Sequence, residues 1–331
     1  MTYSLKLADV AFIGAGLNRP ECVLATRTGD LYTSDGRGGV AHVKPDGTSR
    51  LYAGTTADLP EGPRPNGIAL EPDGSFLFAN LGTTAGGIWR LTRQGQVSPV
   101  IRRVDGVDLP PSNYCGRDAN GRLWATISTR VVPRALDYRL DAKLGFIVLD
   151  DGRGARIVAD GLGFTNECYV DPTGQWLYVN ETYGRRLSRF PLRANCDLGP
   201  KEVVAQLGYG QYPDGFAFDV NGDAWITGVI SNQLIHVATS GPAMGRATVV
   251  LEDSDAGHVA WVEAALQQAA LTRPHLDTIK SARLRNISNI AFGGPDLRTA
   301  YLGCLLGTEI ATLRMPVAGV KPVHWEYPLA G

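Results

Sequence analysis

The sequence predicts an all-β protein: a six-bladed β-propeller with a helical insertion between blades 5 and 6. It reads as a single domain over residues 1–331, with the insertion at 252–285. Three observations carry this reading. Forty glycines and 20 prolines are spread along the 331 residues as PDG, TGD and NGR turns between apolar runs, the mark of a turn-rich all-β chain and not of low complexity. A turn glycine followed by an apolar-aromatic strand recurs at nearly constant spacing. The one anomalous gap in that series, 75 residues long, holds a stretch with helical periodicity.

The elements follow in order. TGDLYTSD around Gly29, DGSFLFAN around Gly74, NGRLWATI around Gly121, TGQWLYVN around Gly174 and NGDAWITG around Gly222 are spaced 45, 47, 53 and 48 residues apart. GGPDLRTAYLGC near Leu297 is a sixth copy. A period of this length, holding several short strands, is that of a propeller blade. Between copies five and six, apolar or alanine residues at 259, 262, 266 and 269–270 predict an amphipathic helix over 256–271, broken by Pro274 and followed by a shorter one. This insertion is read as a surface elaboration, a lid or an oligomer contact. Trp89, Trp124, Trp176 and Trp225 stand at repeat-like strand positions and are read as packing between blades.

Composition narrows the function classes. Lys+Arg total 32 and Asp+Glu 33, a formal charge of −1 with no basic tract, which argues against nucleic acid or an anionic membrane as partner. No apolar run is long enough to span a bilayer. MTYSLKLADVAFIGAGL lacks a basic n-region and a small-residue cleavage site, so no signal peptide is expected. Cys22, Cys115, Cys168, Cys196 and Cys304 are odd in number, widely spaced and free of CxxC, so a reducing cytoplasm is the expectation. Cys22, Cys115 and Cys168 fall in inner strands and are read as small buried residues. The expected partner is a small-molecule substrate, and the expected assembly a monomer or small homo-oligomer.

A polar register accompanies the repeat. Eight residues before each turn glycine stand Glu21, Asn66, Asn113, Asn166 and Asp214; aligning the sixth copy on Tyr301 adds Asn289. The first strand of each propeller blade lines the central channel, so one repeated register forms a ring about the axis. Asn and Asp cap turns, but Glu does so poorly, and capping does not explain why two acids should converge. Two facing carboxylates repel until one protonates. A divalent cation removes the conflict, and a mixed carboxylate and amide oxygen set suits a hard ion, Ca²⁺ first, then Mg²⁺ or Mn²⁺.

PECVLATRTGDLYTSD, NECYVDPTGQWLYVNET, YPDGFAFDVNGDAWITG and NIAFGGPDLRTAYLG resemble the senescence-marker-protein/gluconolactonase family, which includes regucalcin. The resemblance runs through all six blades and leaves out the insertion. It implies a six-bladed propeller with one divalent metal in the channel, and a hydrolase acting on sugar lactones. It implies Glu21, Asn166 and Asp214 as metal ligands and Asn113 as the amide that meets both substrate and metal, with Asn66 and Asn289 lining the channel. Zn²⁺ and Fe²⁺ join the alternatives to Ca²⁺. The chain departs from the family pattern at Cys22, Tyr114 and Glu167, and at Pro111 where one branch carries a substrate-binding Arg.

The expected chemistry is lactone opening by a metal-activated water, with Asp214 as base and Asn113 orienting carbonyl or water. Asn113, Tyr114, Asn66, Arg64 and Glu167 are the substrate-contact candidates. For Glu167, strand alternation predicts a side chain turned from the channel, paired to an arginine or solvated at the mouth. Glu181 and Tyr183 are read as structural. The alternatives are a broader esterase or organophosphate hydrolase, and a non-catalytic ligand-binding propeller with a structural ion.

Overall fold

A computed structural model describes residues 3–327. Six four-stranded antiparallel sheets make up the ring. The first strands of the blades are Val23–Ala25, Pro65–Leu70, Tyr114–Arg117, Thr165–Val170, Tyr212–Phe218 and Ile287–Gly293. Blade 6 is closed by the N-terminal strand Ala11–Ile13, which pairs with Ile310–Arg314, Ala11 opposite Thr312. The ring is thereby closed within blade 6, where Ala11–Ile13 becomes the outer strand.

The repeat was legible because its turns leave little choice. Gly29, Gly74, Gly121, Gly174 and Gly222 all sit at φ between +73° and +86°, a region costly for any residue with a Cβ. In blades 3 and 5 the turn also anchors the next strand: Asp118 accepts from Trp124 Nε1 at 2.8 Å, and Asp219 from Trp225 Nε1 at 3.0 Å. Those indoles then pack on the following blade, Trp124 against Leu177 and Val179, and Trp225 against Ile290 and Leu302. Trp89 instead shares its core cluster with blade 1, the preceding blade. Trp176 is only partly buried and lies under the Arg189 guanidinium, 3.9 Å from its centre.

The insertion follows blade 5. Helix α1 (Ala256–Gln267) is capped by Asp255, whose Oδ1 accepts from His258 N at 2.7 Å. It ends earlier than the periodicity suggests: Ala269 is left-handed at φ +53°, and both it and Ala270 are exposed. Val262 and Leu266 pack with Leu271 and with Leu276 of α2 (Arg273–Leu276) against Phe164, Tyr183, Tyr212 and Ile230, so the insertion lies across one mouth of the ring. Pro274 sits inside the first turn of α2, where its missing N–H costs nothing.

Candidate metal centre

The ring register converges as expected for blades 1 to 5. Glu21, Asn66, Asn113, Asn166 and Asp214 line one pocket beneath the insertion, and all five are buried. Blade 6 differs. Ile287 lies opposite Cys304 and Asn289 opposite Gly303, whereas in blade 4 Thr165 lies opposite Glu181 and Cys168 opposite Val179. The residue equivalent to Asn166 is therefore Ser288. The blade 6 hairpin turn is one residue longer, so alignment on Tyr301 shifts the register by one.

Hydrogen bonds sort the ring residues by role. Asn66 is saturated: its Nδ2 donates to Glu21 Oε1 at 2.7 Å and to the Asn113 carbonyl at 2.9 Å, and its Oδ1 accepts from Arg19 at 2.8 Å. It braces Glu21, and its Oδ1 is already turned to Arg19. Thr182 donates its hydroxyl to the Pro213 carbonyl at 2.9 Å and so can only accept from Asn166 Nδ2, at 3.1 Å. That fixes the Asn166 amide with Oδ1 turned to the pocket, where it is buried and without a partner. Glu21 Oε2 is likewise buried and unpartnered. Asp214 uses its backbone carbonyl to accept from Asn180, leaving its carboxylate to the pocket. Asn113 is held by Ser128, to which its Nδ2 donates at 3.0 Å.

Electrostatics point the same way. Burial, and then the charges of Glu21 and Glu167, push the Asp214 carboxyl well above the usual carboxylate range. Burial also raises Glu21, against the pull of Arg19. Bare acids crowded out of water resist ionisation, and the orphaned oxygens of Glu21 and Asn166 are costly. An oxygen-liganded divalent cation satisfies both, so Glu21, Asn166 and Asp214 fit the ion expected of them.

Three expected substrate contacts fall elsewhere. Arg64 is exposed and lies outside the pocket; its backbone is engaged, the N–H by Asn80 Oδ1 at 2.8 Å and the carbonyl by the Leu81 N–H at 2.8 Å. Tyr114 turns to the opposite side of the ring, tilted against Tyr169 at 5.3 Å between ring centres. Glu167 is neither paired to an arginine nor solvated. It is buried, accepting from Asn289 Nδ2 at 2.8 Å and from the Phe216 N–H at 3.2 Å, and burial with the Glu21 charge pushes its pKa up to about 8.

The pocket also holds residues that the repeat did not single out. Arg19, Arg134, Tyr138, Phe164, Thr182 and Tyr183 line it, and the insertion adds Arg273 and Leu276. Tyr183 thus faces the site as well as packing, whereas Glu181 is structural, held by Arg186 at 2.6 Å. Burial raises the thiols of Cys22, Cys115 and Cys168, which disfavours thiolate chemistry. A larger cavity of about 480 Å³ lies at the other end of the axis, against about 50 Å³ at the ring, but its walls are mainly apolar and it gathers no paired carboxylates. Asp219, Asp223 and His236 also cluster. Both Asp219 oxygens there already accept, from Trp225 Nε1 and from the Asn221 N–H at 2.8 Å, the same anchoring that Asp118 gives blade 3.

A closed propeller with acids and amides drawn to its axis at one mouth defines the class of protein. Residues 19–252 match the family described as SMP-30/Gluconolactonase/LRE-like region, and the chain belongs to that family. The match covers blades 1 to 5 and stops where the insertion begins. The chain is 26% identical over 239 residues to a 6-deoxy-6-sulfogluconolactonase of Pseudomonas putida, covering 71% of this chain and 67% of that one. Among solved structures, a gluconolactonase of Xanthomonas campestris superposes with TM-score 0.65 at 19% identity, covering 96% of this chain and 94% of that one. A calcium-binding protein, regucalcin, from Agrobacterium tumefaciens superposes with TM-score 0.61 at 17% identity, covering 99% and 95%. These two likenesses show the fold.

Proposed function

We propose that this protein is a divalent-metal-dependent lactonase, a hydrolase that opens a small lactone at the pocket ringed by blades 1 to 5. The observation that carries the reading is the pair of buried acids from blades 1 and 5, Glu21 and Asp214, lining one pocket with Asn166, where Glu21 Oε2 and Asn166 Oδ1 are buried without a donor among the described residues. Family membership and the sulfogluconolactonase relative support lactone opening as the reaction. That relative's name adds a particular sugar; lactone opening is what we carry to this chain.

Glu21, Asn166 and Asp214 would hold the ion, with Ca²⁺ the best match to an all-oxygen set. Such an ion, when bound, polarises the lactone carbonyl and acidifies a water. The chain's own residues do the rest. Asp214, which a bound cation would keep ionised, would take the proton from the attacking water and return it to the ring oxygen as the C–O bond breaks. Asn113, fixed by Ser128, orients the carbonyl oxygen or that water. Asn66 keeps Glu21 in place. Leu276 and Phe164 shield the pocket from bulk water.

A pH-indicator assay on aldonolactones, aliphatic lactones and aryl esters, with and without chelator, tests this. The expected result is chelator-sensitive opening of lactones. Asp214→Ala abolishes turnover and the rise in melting temperature on adding Ca²⁺, whereas Asn113→Ala lowers turnover and keeps the thermal shift. Full activity of Asp214→Ala after exhaustive chelation would falsify the reading.

A further inference from the structure

We infer that the substrate carries an anionic oxygen group in addition to its lactone ring, and that Arg19 and Arg134 hold that group. The inference rests on the lactonase reading for the ring and on a separate observation for the charge. Three guanidiniums line the pocket: Arg19 from the segment entering blade 1, Arg134 from the long connection inside blade 3, and Arg273 from the insertion.

Arg273 has a carboxylate partner, Asp277. Arg19 and Arg134 do not: among the described residues, no carboxylate oxygen lies within 4.0 Å of either, although both are half-buried. Asp137, on the same turn as Arg134, is outside that range as well. The acids that do face the pocket, Glu21 and Asp214, offset a divalent ion. With the ion in place the site keeps two unmatched positive charges.

The donors are also unspent. Arg134 Nε is buried with no hydrogen-bond partner, and its Nη2 reaches only the Ser128 hydroxyl, at 3.4 Å. Its guanidinium lies over Phe164, 5.0 Å from the ring centre, which fixes the plane of the fork. Arg19 spends one Nη2 hydrogen on Asn66. A half-buried guanidinium with a free edge is costly to keep unless something anionic completes it, and its planar donor fork matches carboxylate, sulfonate or phosphate oxygens. A neutral sugar hydroxyl satisfies a donor without cancelling the charge.

The test compares metal-loaded protein on glucono-δ-lactone and on its analogues carrying a carboxylate, a sulfonate or a phosphate at the carbon furthest from the carbonyl. The expected result is a kcat/KM at least about tenfold higher for an anionic lactone than for the neutral one, the effect of one charge-assisted contact, with the three arms naming the preferred oxyanion. Arg134→Gln and Arg19→Gln each lower kcat/KM for the anionic lactone at least about tenfold more than for the neutral one, and Arg134→Lys restores part of the difference. Equal losses on both lactones, or no preference in the wild-type protein, overturn the inference. Calorimetric binding of gluconate and 6-phosphogluconate gives a readout without turnover: the phosphorylated acid binds at least about tenfold tighter, and the Arg19→Gln/Arg134→Gln variant loses that difference. Preferential binding without any lactone opening removes the lactonase reading and keeps the anion site. Lactone opening without preference does the reverse.

Discussion

Glu263 of α1 is the bolt that holds the insertion over the site, and its removal has a calculable consequence. The side chain is 3% exposed and accepts four hydrogen bonds: from the Gly210 N–H at 2.6 Å, from Tyr212 Oη at 2.7 Å, and from Arg185 Nη2 at 2.7 and 2.6 Å on its two oxygens. Arg185 has no second acid among its ion pairs. Glu263→Ala therefore leaves the Arg185 guanidinium with no acid and only the Tyr212 oxygen, 3.2 Å away, and takes the acceptor from the Tyr212 phenol and the Gly210 N–H. Breaking such a pair from one side costs about 3–5 kcal/mol. At about 1.4 kcal/mol per decade, the population in which 256–276 is undocked rises by roughly two to three and a half orders of magnitude. Because the propeller ladders do not run through this contact, the cost is local. Hydrogen exchange followed by mass spectrometry is the assay. Amides of Ala256–Gln267 lose protection by that factor, those of Leu123–Ile127 in blade 3 do not, and kcat/KM falls as Arg273 and Leu276 leave the pocket. Glu263→Gln, which keeps an acceptor for Tyr212 and Gly210, shows a smaller loss, about tenfold. Unchanged protection in α1, or equal loss in α1 and Leu123–Ile127, refutes the reasoning.

Two further predictions concern pH. Glu167 keeps its proton to about pH 8 in the folded state against an ordinary 4.5, so the stability it contributes is complete below pH 4.5 and is lost as pH rises through about 8. Metal-free protein should lose about 2.7 kcal/mol between pH 6 and 9 from this group, and urea unfolding of Glu167→Gln should lack that part of the loss. His324 behaves oppositely. Burial lowers its pKa from 6.5 to about 4, so its neutral form supports folding above pH 6.5 and stability falls as pH drops from there to 4. With its side chain still partly accessible, the loss is discounted to about 1–2 kcal/mol. His324→Gln should flatten the acid limb of the stability curve; a limb of unchanged slope excludes His324 as its source.

The ring and the six-fold order were legible because both rest on local constraints that repeat. A turn glycine at positive φ and a polar residue at the head of an inner strand recur wherever a blade recurs, so Glu21, Asn66, Asn113, Asn166 and Asp214 could be placed by counting back from Gly29, Gly74, Gly121, Gly174 and Gly222. Counting failed in blade 6, where one extra residue in the hairpin moved Asn289 off the register. The cationic wall was not legible. Arg134 and Tyr138 come from a long connection and Arg273 from the insertion, and such segments obey no period that would bring them to the axis. Arg64, two residues before Asn66, lies outside the pocket: adjacency along a chain says little once the backbone turns.

Glu167 shows where strand logic itself breaks, and the reason explains the site's third acid. Alternation holds only while two strands advance in step. Between Thr165 and Cys168 the inner strand of blade 4 advances three residues while its partner advances two, from Glu181 to Val179. The extra residue is a β-bulge, which leaves Asn166 and Glu167 both directed inward, one to the pocket and one to the neighbouring blades. Blades 2 and 5 carry the same irregularity at Asn66-Gly67 and Asp214-Gly215. There the second residue is glycine, and the space it leaves is used. A Cβ on Gly215 would stand 2.8 Å from Glu167 Oε2, and one on Gly67 would stand 2.6 Å from Tyr114 Cα. The missing side chain in blade 5 is thus what admits the carboxylate of blade 4 to the axis. Once there it is shut from water and faces Glu21 and Asp214, so it persists as the neutral acid while they are free to share a cation.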